Sequence, residues 1–439
     1  MYRQILIHPN NQHYQLIIWR ENPSLSVNYY KLNTVTYGTR SAPYLATRCL
    51  QKIADENAIS YPFGAQMLKD NFYVDDGLGG SDSLNIATEI QRELIIILKR
   101  HGFNLKKWCA NHPQLLKNIP LGDQEVDLDF NNGNTSTVKT LGLLWLPKTD
   151  HFCVKVKVNH QQAVTKRTAT SDLEKLFDPL GLLAPVVVKA KMFIQQLWQV
   201  KLDWDEPLPE DLNIIWTKFR NDLDSLNNYK IPRHVFKGEL PASTELHIFS
   251  DASEKAFGAV AYIRAVLKDR RVIVQLLCAK TRVAPLKQQT LPRLELCAAV
   301  MAAQLSWRIK TDLQIKNQPV FLWTDSEIVL SWINAQSSMY HTFVANRISE
   351  IQSLTLPDQW RHVRSKDNPA DILSRGLPAF QLSECNLWLY GPLFLHGREE
   401  LWPPKFFQQL EIPSDSEKEN NFNLNSYRIR GQLHLQNST

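Results

Sequence analysis

The strongest constraint on this chain lies in its second half. Four times between residues 241 and 380, an apolar run ends on an acidic residue or a helix opens on one. ELHIFSDASEKAFGAVAYI (245–263) alternates, runs apolar up to Asp251, turns through Gly258 and returns, which predicts two strands with Asp251 at or near a strand end. QLLCAKTRV (275–283) reads as a third strand. TLPRLELCAAVMAAQLSWRIK predicts a helix with Pro292 in its first turn, an Ala-rich body to propagate it, and Glu295 in the first turn or two. In PVFLWTDSEIVLSWI (319–333) an apolar run delivers Asp325, and Ser326 and Glu327 open a helix. QWRHVRSKDNPADILSRG (359–376) gives a short strand, a polar turn and a helix starting near Pro369, with Asp371 in its first turn.

Four carboxylates at strand ends and helix starts can converge on one edge of a sheet. Phosphodiester cleavage uses such a cluster, because two divalent ions about 4 Å apart stabilise both the attacking water and the leaving oxygen. Clustered Asp and Glu without His or Cys suit Mg²⁺, which favours carboxylates and retained waters. At any single position, capping a helix or meeting its dipole is an equally open role. Four acids in the order Asp, Glu, Asp, Asp, each in a matching context, favour the joint site.

The length of 439 residues allows two or three domains, and the 44% hydrophobic content fits globular structure rather than wholesale disorder. Lys and Arg outnumber Asp and Glu by 50 to 44; the net charge of +6 permits a polyanionic partner without requiring one. Six scattered cysteines without a C-x-x-C pair argue against a zinc site or disulfide framework and fit a reducing compartment. No apolar run reaches membrane-spanning length, and MYRQILIHPN lacks the apolar core of a secretion signal.

Along the chain, HYQLIIWR (13–20) reads as a strand and APYLATRCLQKIA (42–54) as a helix. MLKDNFYVDDGLGGSDS (67–83) reads as a hairpin with Asp75 and Asp76 between apolar runs. Ile86, Ile90, Leu94 and Ile97 then mark an amphipathic helix that Gly102 ends. Residues 122–137 look like a surface loop, followed by strands in VKTLGLLWLP and HFCVKVKV. Residues 165–240 are mostly helical by pattern, broken at DPLGLLAP (178–185). Past Leu377 the chain turns Trp- and Pro-rich, then polar.

SDAS, LPRLEL, WTDSEIVLSW and NPADILSRG resemble the four active-site motifs of the ribonuclease H domains of long-terminal-repeat retroelements. The resemblance implies a mixed sheet flanked by helices and hydrolysis of the RNA strand of an RNA–DNA hybrid. It makes Asp251, Glu295, Asp325 and Asp371 ligands of two Mg²⁺ or Mn²⁺ ions. An integrase shares that fold but orders its acids Asp, Asp, Glu. The His that ribonucleases H often carry before the last Asp is missing from RSKDNPA; His362 precedes it on a strand and reads as structural, and Asp367 as a turn residue.

FYVDDGLGG (72–80), with NTVTYGTRSAPYLATRCL, GFNLKKW and LGLLW around it, resembles the catalytic hairpin and neighbouring elements of reverse transcriptases. That resemblance makes Asp75 and Asp76 metal ligands of nucleotidyl transfer on a primer–template. The family's first catalytic Asp would fall before Met1, so the chain as written is expected not to polymerise DNA. TKRTATSDLEKLFDPLGLLAPVVVKAKMFIQQLW (165–198) is similar to the region between polymerase and ribonuclease H in BEL/Pao retrotransposons, sometimes labelled a peptidase. No Asp-Thr-Gly or Asp-Ser-Gly occurs, so aspartic-protease chemistry is not expected.

The expected architecture is multidomain α/β. Residues 1–120 form a partial reverse-transcriptase palm (α+β), 121–164 a thumb or strand extension, and 165–240 a helical connector. Residues 241–380 form the ribonuclease H-like domain, and 381–439 a spacer and disordered tail. The resemblance implies a Pol fragment without its protease and integrase, working in the cytoplasm within a virus-like particle, or in the nucleus. A non-catalytic, nucleic-acid-binding relic is the alternative. Lys99–Arg100, Lys106–Lys107, Lys189–Lys191, Arg270–Arg271 and Arg361–Arg364 are candidate phosphate contacts, or ordinary surface charge. Trp108 and Trp332 are candidates for stacking on bases, with core packing favoured.

Overall fold

The computed structural model describes residues 1–125, 137–140, 142–236, 239–314 and 318–404. Most of the expected loop at 122–137 and the polar tail lie outside the described residues. The chain divides into two compact units, Met1–Cys153 with Ile231–His234, and Val154–Lys230 with Val235–Thr439.

In the first unit, a hairpin of β1 (Leu16–Trp19) and β2 (Asn28–Lys31) precedes helices α1 (Ala42–Asn57) and α2 (Pro62–Asp70). A short hairpin, β3 (Phe72–Tyr73) and β4 (Asp76–Gly77), leads into α3 (Leu84–Arg100). Leu50, Ile53, Leu68, Leu94, Ile97 and Leu98 form the core where the three helices meet. Of the apolar spacing read at Ile86, Ile90, Leu94 and Ile97, the last two enter this core, Ile90 is half-buried and Ile86 is exposed. Strands β5 (Val138–Thr140), β6 (Leu143–Leu146), β7 (His151–Cys153) and β8 (Lys230–Pro232) follow in that order in a second sheet. The expected strand at 13–20 is shorter than its apolar run, because Pro9–Tyr14 winds as a 3₁₀ helix.

The second unit is built on a five-stranded mixed sheet. Helices α4 (Lys166–Glu174), α5 (Ala184–Gln199) and α6 (Glu210–Asp222) come first. Strands β9 (Pro241–Ala252), β10 (Ala256–Leu267) and β11 (Val272–Val283) then form an antiparallel meander. Helix α7 (Leu291–Asp312) crosses to β12 (Val320–Thr324), which lies parallel to β9. Helices α8 (Glu327–Asn334) and α9 (Thr342–Leu354) lead to β13 (Trp360–His362), parallel to β12. The order is β11-β10-β9-β12-β13.

Both faces of this sheet are covered, which explains why β10 reads as continuously apolar rather than alternating. On one face, Ala298, Ala299, Ala302 and Ala303 of α7 let the helix approach β9 and β10 closely. On the other lie α5 and three short helices, α10 (Ala370–Arg375), α11 (Ala379–Leu382) and α12 (Asn386–Tyr390). Phe249, Phe321, Trp323, Phe394 and Trp402 form an aromatic cluster around the fully buried His247. Trp323 Nε1 donates to His247 Nδ1 over 3.2 Å, so the imidazole offers its Nε2–H to Glu245; burial holds its pKa below the usual value.

Two stretches expected as separate segments are integral to this unit. The Trp- and Pro-rich stretch after 385 is tied down by Arg264, which donates to the Leu395 and Gly397 carbonyls over 2.7 and 2.8 Å. The block at 165–230 has its own small core around Phe193 and Trp216, and it also docks on the sheet. At DPLG, Ala279 of β11 donates to the Leu180 carbonyl over 2.8 Å. Asp178 accepts from the Leu182 and Leu183 amides, and burial pushes its carboxyl up to about 6. Gly181 has φ +74, and a Cβ there would lie 1.9 Å from the Ala279 carbonyl oxygen.

Candidate active site

The sheet register places two of the acids, Asp251 and Asp325, side by side. On the parallel pair β9–β12, Ser250 stands opposite Thr324, so Asp251 and Asp325 follow at the same level on neighbouring strands. Strands pair at about 4.8 Å. Asp251 is 6% exposed and Asp325 half-buried. Burial, then the charges of Asp325 and Asp371, push the Asp251 carboxyl up to about 7.

Glu295 reaches the same strand end from the first turns of α7. Ser326 caps α8, accepting from the Val329 amide, and its hydroxyl donates to Glu295 Oε2 over 2.5 Å. Burial, and to a lesser extent Asp325, raise the Glu295 pKa.

Asp371 comes from the first turn of α10 and forms an i,i+4 ion pair with Arg375 at 2.6 Å. The Ser374 hydroxyl on the same helix donates to Asp251 Oδ2 over 2.5 Å. The Arg375 guanidinium is stabilised in its charged form by Asp371 first, and also by Asp251 and Asp325. Acids from four elements therefore act on one another at one end of the sheet.

Several supporting groups escaped the reading of the sequence. Asn368, fully buried, donates to the Ser250 carbonyl over 3.1 Å and to Asp325 Oδ1 over 3.4 Å, and its own oxygen accepts from the Ala370 amide. Ser365 donates to Asp325 Oδ2 over 2.6 Å. Both lie in the turn that lacks the expected His, and Asn368 and Ser374 lie inside the NPADILSRG string. Their signal was position within the motif rather than residue type. His362 occupies β13, on the strand where it was expected.

The oxygen-only donor set suits Mg²⁺ or Mn²⁺. The neighbouring negative charges that help to raise the pKa of Asp251 and Glu295 also create the demand for a cation that such a site satisfies. Among the described residues, no three His, Cys, Asp or Glu side chains are gathered tightly enough to grip a metal as they stand. Asp371 is paired with Arg375, and Glu295 accepts from Ser326.

In the first unit, Asp75 and Asp76 are both exposed on the β3–β4 hairpin, where Tyr73 pairs with Asp76. Val74 carries φ +57, an uncommon conformation for a β-branched residue, which turns the chain tightly at the acidic pair.

Many of the expected phosphate-contacting cations have internal partners. Arg271 pairs with Glu239 and Asp269, Lys106 with Asp123, and the buried Arg361 with Glu399. Trp332 is buried in the core beside Tyr340, and Trp108 packs against the core of the first unit. All six cysteines lie among the described residues and none forms a disulfide. No helix among the described residues is long and apolar enough to cross a membrane.

Residues 165–326 match a family model described as the Pao retrotransposon-like RNaseH-like domain. The matched range starts at the helical block expected as a connector and includes Asp251, Glu295 and Asp325. No curated protein matches the sequence. Among solved structures, the chain is similar to the N-terminal RNase H domain of rv2228c from Mycobacterium tuberculosis, solved as a fusion with maltose-binding protein. Identity is 14%, coverage 32% of this chain and 97% of that one, and the TM-score 0.22. It is also similar to RNase H1 from Halobacterium salinarum NRC-1, at 14% identity, 30% and 94% coverage and a TM-score of 0.21. A third is LC11-RNase H1 isolated from compost, at 14% identity, 30% and 91% coverage and a TM-score of 0.21.

Proposed function

We propose that the second unit is a divalent-metal-dependent nuclease of the ribonuclease H type, from a Pao-like retroelement, that hydrolyses the RNA strand of RNA–DNA hybrids. The observation that carries this reading is the state of Asp251. Its carboxyl stands at about 7 because it is buried and because Asp325 and Asp371, from two other elements, bear on it. A structural helix cap would have no reason to face two further acids. The family match over 165–326 supports the same class.

In this reading Asp251, Glu295, Asp325 and Asp371 hold two Mg²⁺ or Mn²⁺ ions. When bound, these ions stabilise the attacking water and the leaving oxygen of the phosphodiester. Asp251 and Asp325, level on adjacent strands, form the floor. Ser326 and Ser374 aim Glu295 and Asp251, and Asn368 and Ser365 aim Asp325. Arg375 neutralises Asp371 until a cation competes for it. Asp75 and Asp76 are assigned as the metal-binding pair of a partial reverse-transcriptase palm, on the exposed hairpin and its motif. The substrates proposed are accordingly the hybrid and a primer–template.

One observation favours the second reading, a nucleic-acid-binding relic without catalysis: among the described residues, no three acids are drawn together as they stand. A labelled RNA–DNA hybrid incubated with the chain and Mg²⁺, beside Asp325→Asn and an EDTA control, separates the two. Cleavage that needs both Mg²⁺ and Asp325 is the expected result. No cleavage selects the relic, and equal cleavage by parent and variant rules out the carboxylate site as its source.

A further inference from the structure

The helix that carries Asp371 is six residues long, too short to hold its own geometry in water. Something else has to fix it. Part of the answer lies on the sheet, where Ser374 bonds Asp251 and Leu373 packs over Gly258. The other part lies about 150 residues upstream, in the helical block.

Directly after α10 the chain turns at Gly376, with φ +79, against α5. A Cβ on Gly376 would lie 2.3 Å from Lys189 Cγ and 3.1 Å from the Pro185 carbonyl oxygen. The next residue, Leu377, donates its amide to that same Pro185 carbonyl over 3.0 Å. Pro185 lies in the first turn of α5, just after the Leu182 and Leu183 amides that Asp178 accepts from.

Asp222 closes the other end. It is the last residue of α6, where a carboxylate meets the negative end of the helix dipole and is disfavoured. Its compensation is external. Oδ2 accepts from the Ala379 amide over 2.6 Å and Oδ1 from the Phe380 amide over 3.1 Å, at the start of α11. Residues 376–380 are thus clamped between α5 and α6, directly behind the C-terminal end of α10.

We infer that Asp222, with the α5 contact at Gly376, is a positioning residue of the carboxylate site, acting through the segment behind α10 to set where Asp371 stands. The helical block then serves the site as a brace. This inference rests on the proposal that Asp371 is a metal-binding member of the site.

The test uses the full chain, with Mn²⁺ binding measured by titration calorimetry and unfolding by thermal melting without metal. Four variants are compared with the parent. Asp222→Ala removes both acceptors, and Asp222→Asn keeps one. Thr165→Ala removes the N-cap of α4, which donates nothing to residues 376–380, and serves as a stability control. Asp371→Asn tests the underlying site.

The expected result is about tenfold weaker Mn²⁺ binding for Asp222→Ala, within the range seen for groups that orient metal ligands. Asp222→Asn falls between that variant and the parent, and Thr165→Ala binds Mn²⁺ like the parent despite a lower melting temperature. Should Asp222→Ala fail to fold, Asp222→Asn against Thr165→Ala carries the comparison. The brace is refuted if Asp371→Asn weakens Mn²⁺ binding while the Asp222 variants bind like the parent, or track Thr165→Ala at matched stability. If Asp371→Asn itself binds Mn²⁺ like the parent, the underlying site assignment fails instead, and the brace falls with it.

Discussion

Asp251 is the most enclosed of the four acids, and its chemistry sets a clear pH dependence. Below about pH 7 a cation has to displace a proton from it, so Mn²⁺ affinity rises between about pH 6 and 8 and then levels off. The sign for folding without metal is opposite. The folded pKa of about 7 lies above the ordinary 3.8, so this group's contribution to stability is full below 3.8 and is lost as pH rises through about 7. Asp325→Asn removes a like charge, lowers the Asp251 pKa and moves the midpoint of the Mn²⁺-binding profile to lower pH. Calorimetry across that range checks this, and an unmoved midpoint would show that the two acids do not interact. At this scale the four carboxylates were legible, because strand ends and helix starts are marked by apolar runs and by Pro292 and Pro369. Asn368, Ser365 and Asp222 were not, because a buried amide, a hydroxyl and a terminal carboxylate leave no periodic signal. Their role exists only once distant elements meet.

At the scale of elements, β9, β12, α7, α8 and the start of α10 follow from the periodicity of the chain. Helix α9 was open to the same reading through Val344, Ile348 and Ile351, spaced four and three apart. The docking of the 165–230 block on β11 was not legible, because it runs through backbone groups. The Leu180 carbonyl and the Gly181 turn make the contact, and neither leaves a side-chain pattern. Gly181→Ala tests that docking. It combines an unfavourable positive φ with a collision against the Ala279 carbonyl, and should cost roughly 2 kcal/mol or more. A urea midpoint equal to that of the parent would show that the turn does not bind the sheet. The Trp-rich stretch teaches a similar lesson: its aromatics signalled bulk, while their place on the sheet depended on Arg264, a cation buried in β10.

For the whole molecule, the cations available to a nucleic acid are fewer than the count of Lys and Arg, since Arg220, Arg264 and Arg361 are buried and paired with Asp172, Glu245 and Glu399. Hybrid binding is therefore expected to weaken only moderately with salt. Two or three phosphate contacts correspond to roughly a 10- to 40-fold loss between about 50 and 200 mM. Gel shifts with Asp325→Asn in EDTA measure this slope without cleavage, and a slope near zero would remove phosphate contact from the account. The most direct test of the central claim follows each strand of one hybrid separately, with the RNA and the DNA carrying different end labels, in Mg²⁺. The four-carboxylate site predicts that the RNA strand alone is shortened, and that Asp251→Asn lowers the rate at least about 100-fold, beyond the usual effect of losing a group that merely supports a metal site. Two intact strands with the parent chain, or RNA cleavage undiminished in Asp251→Asn, would contradict it.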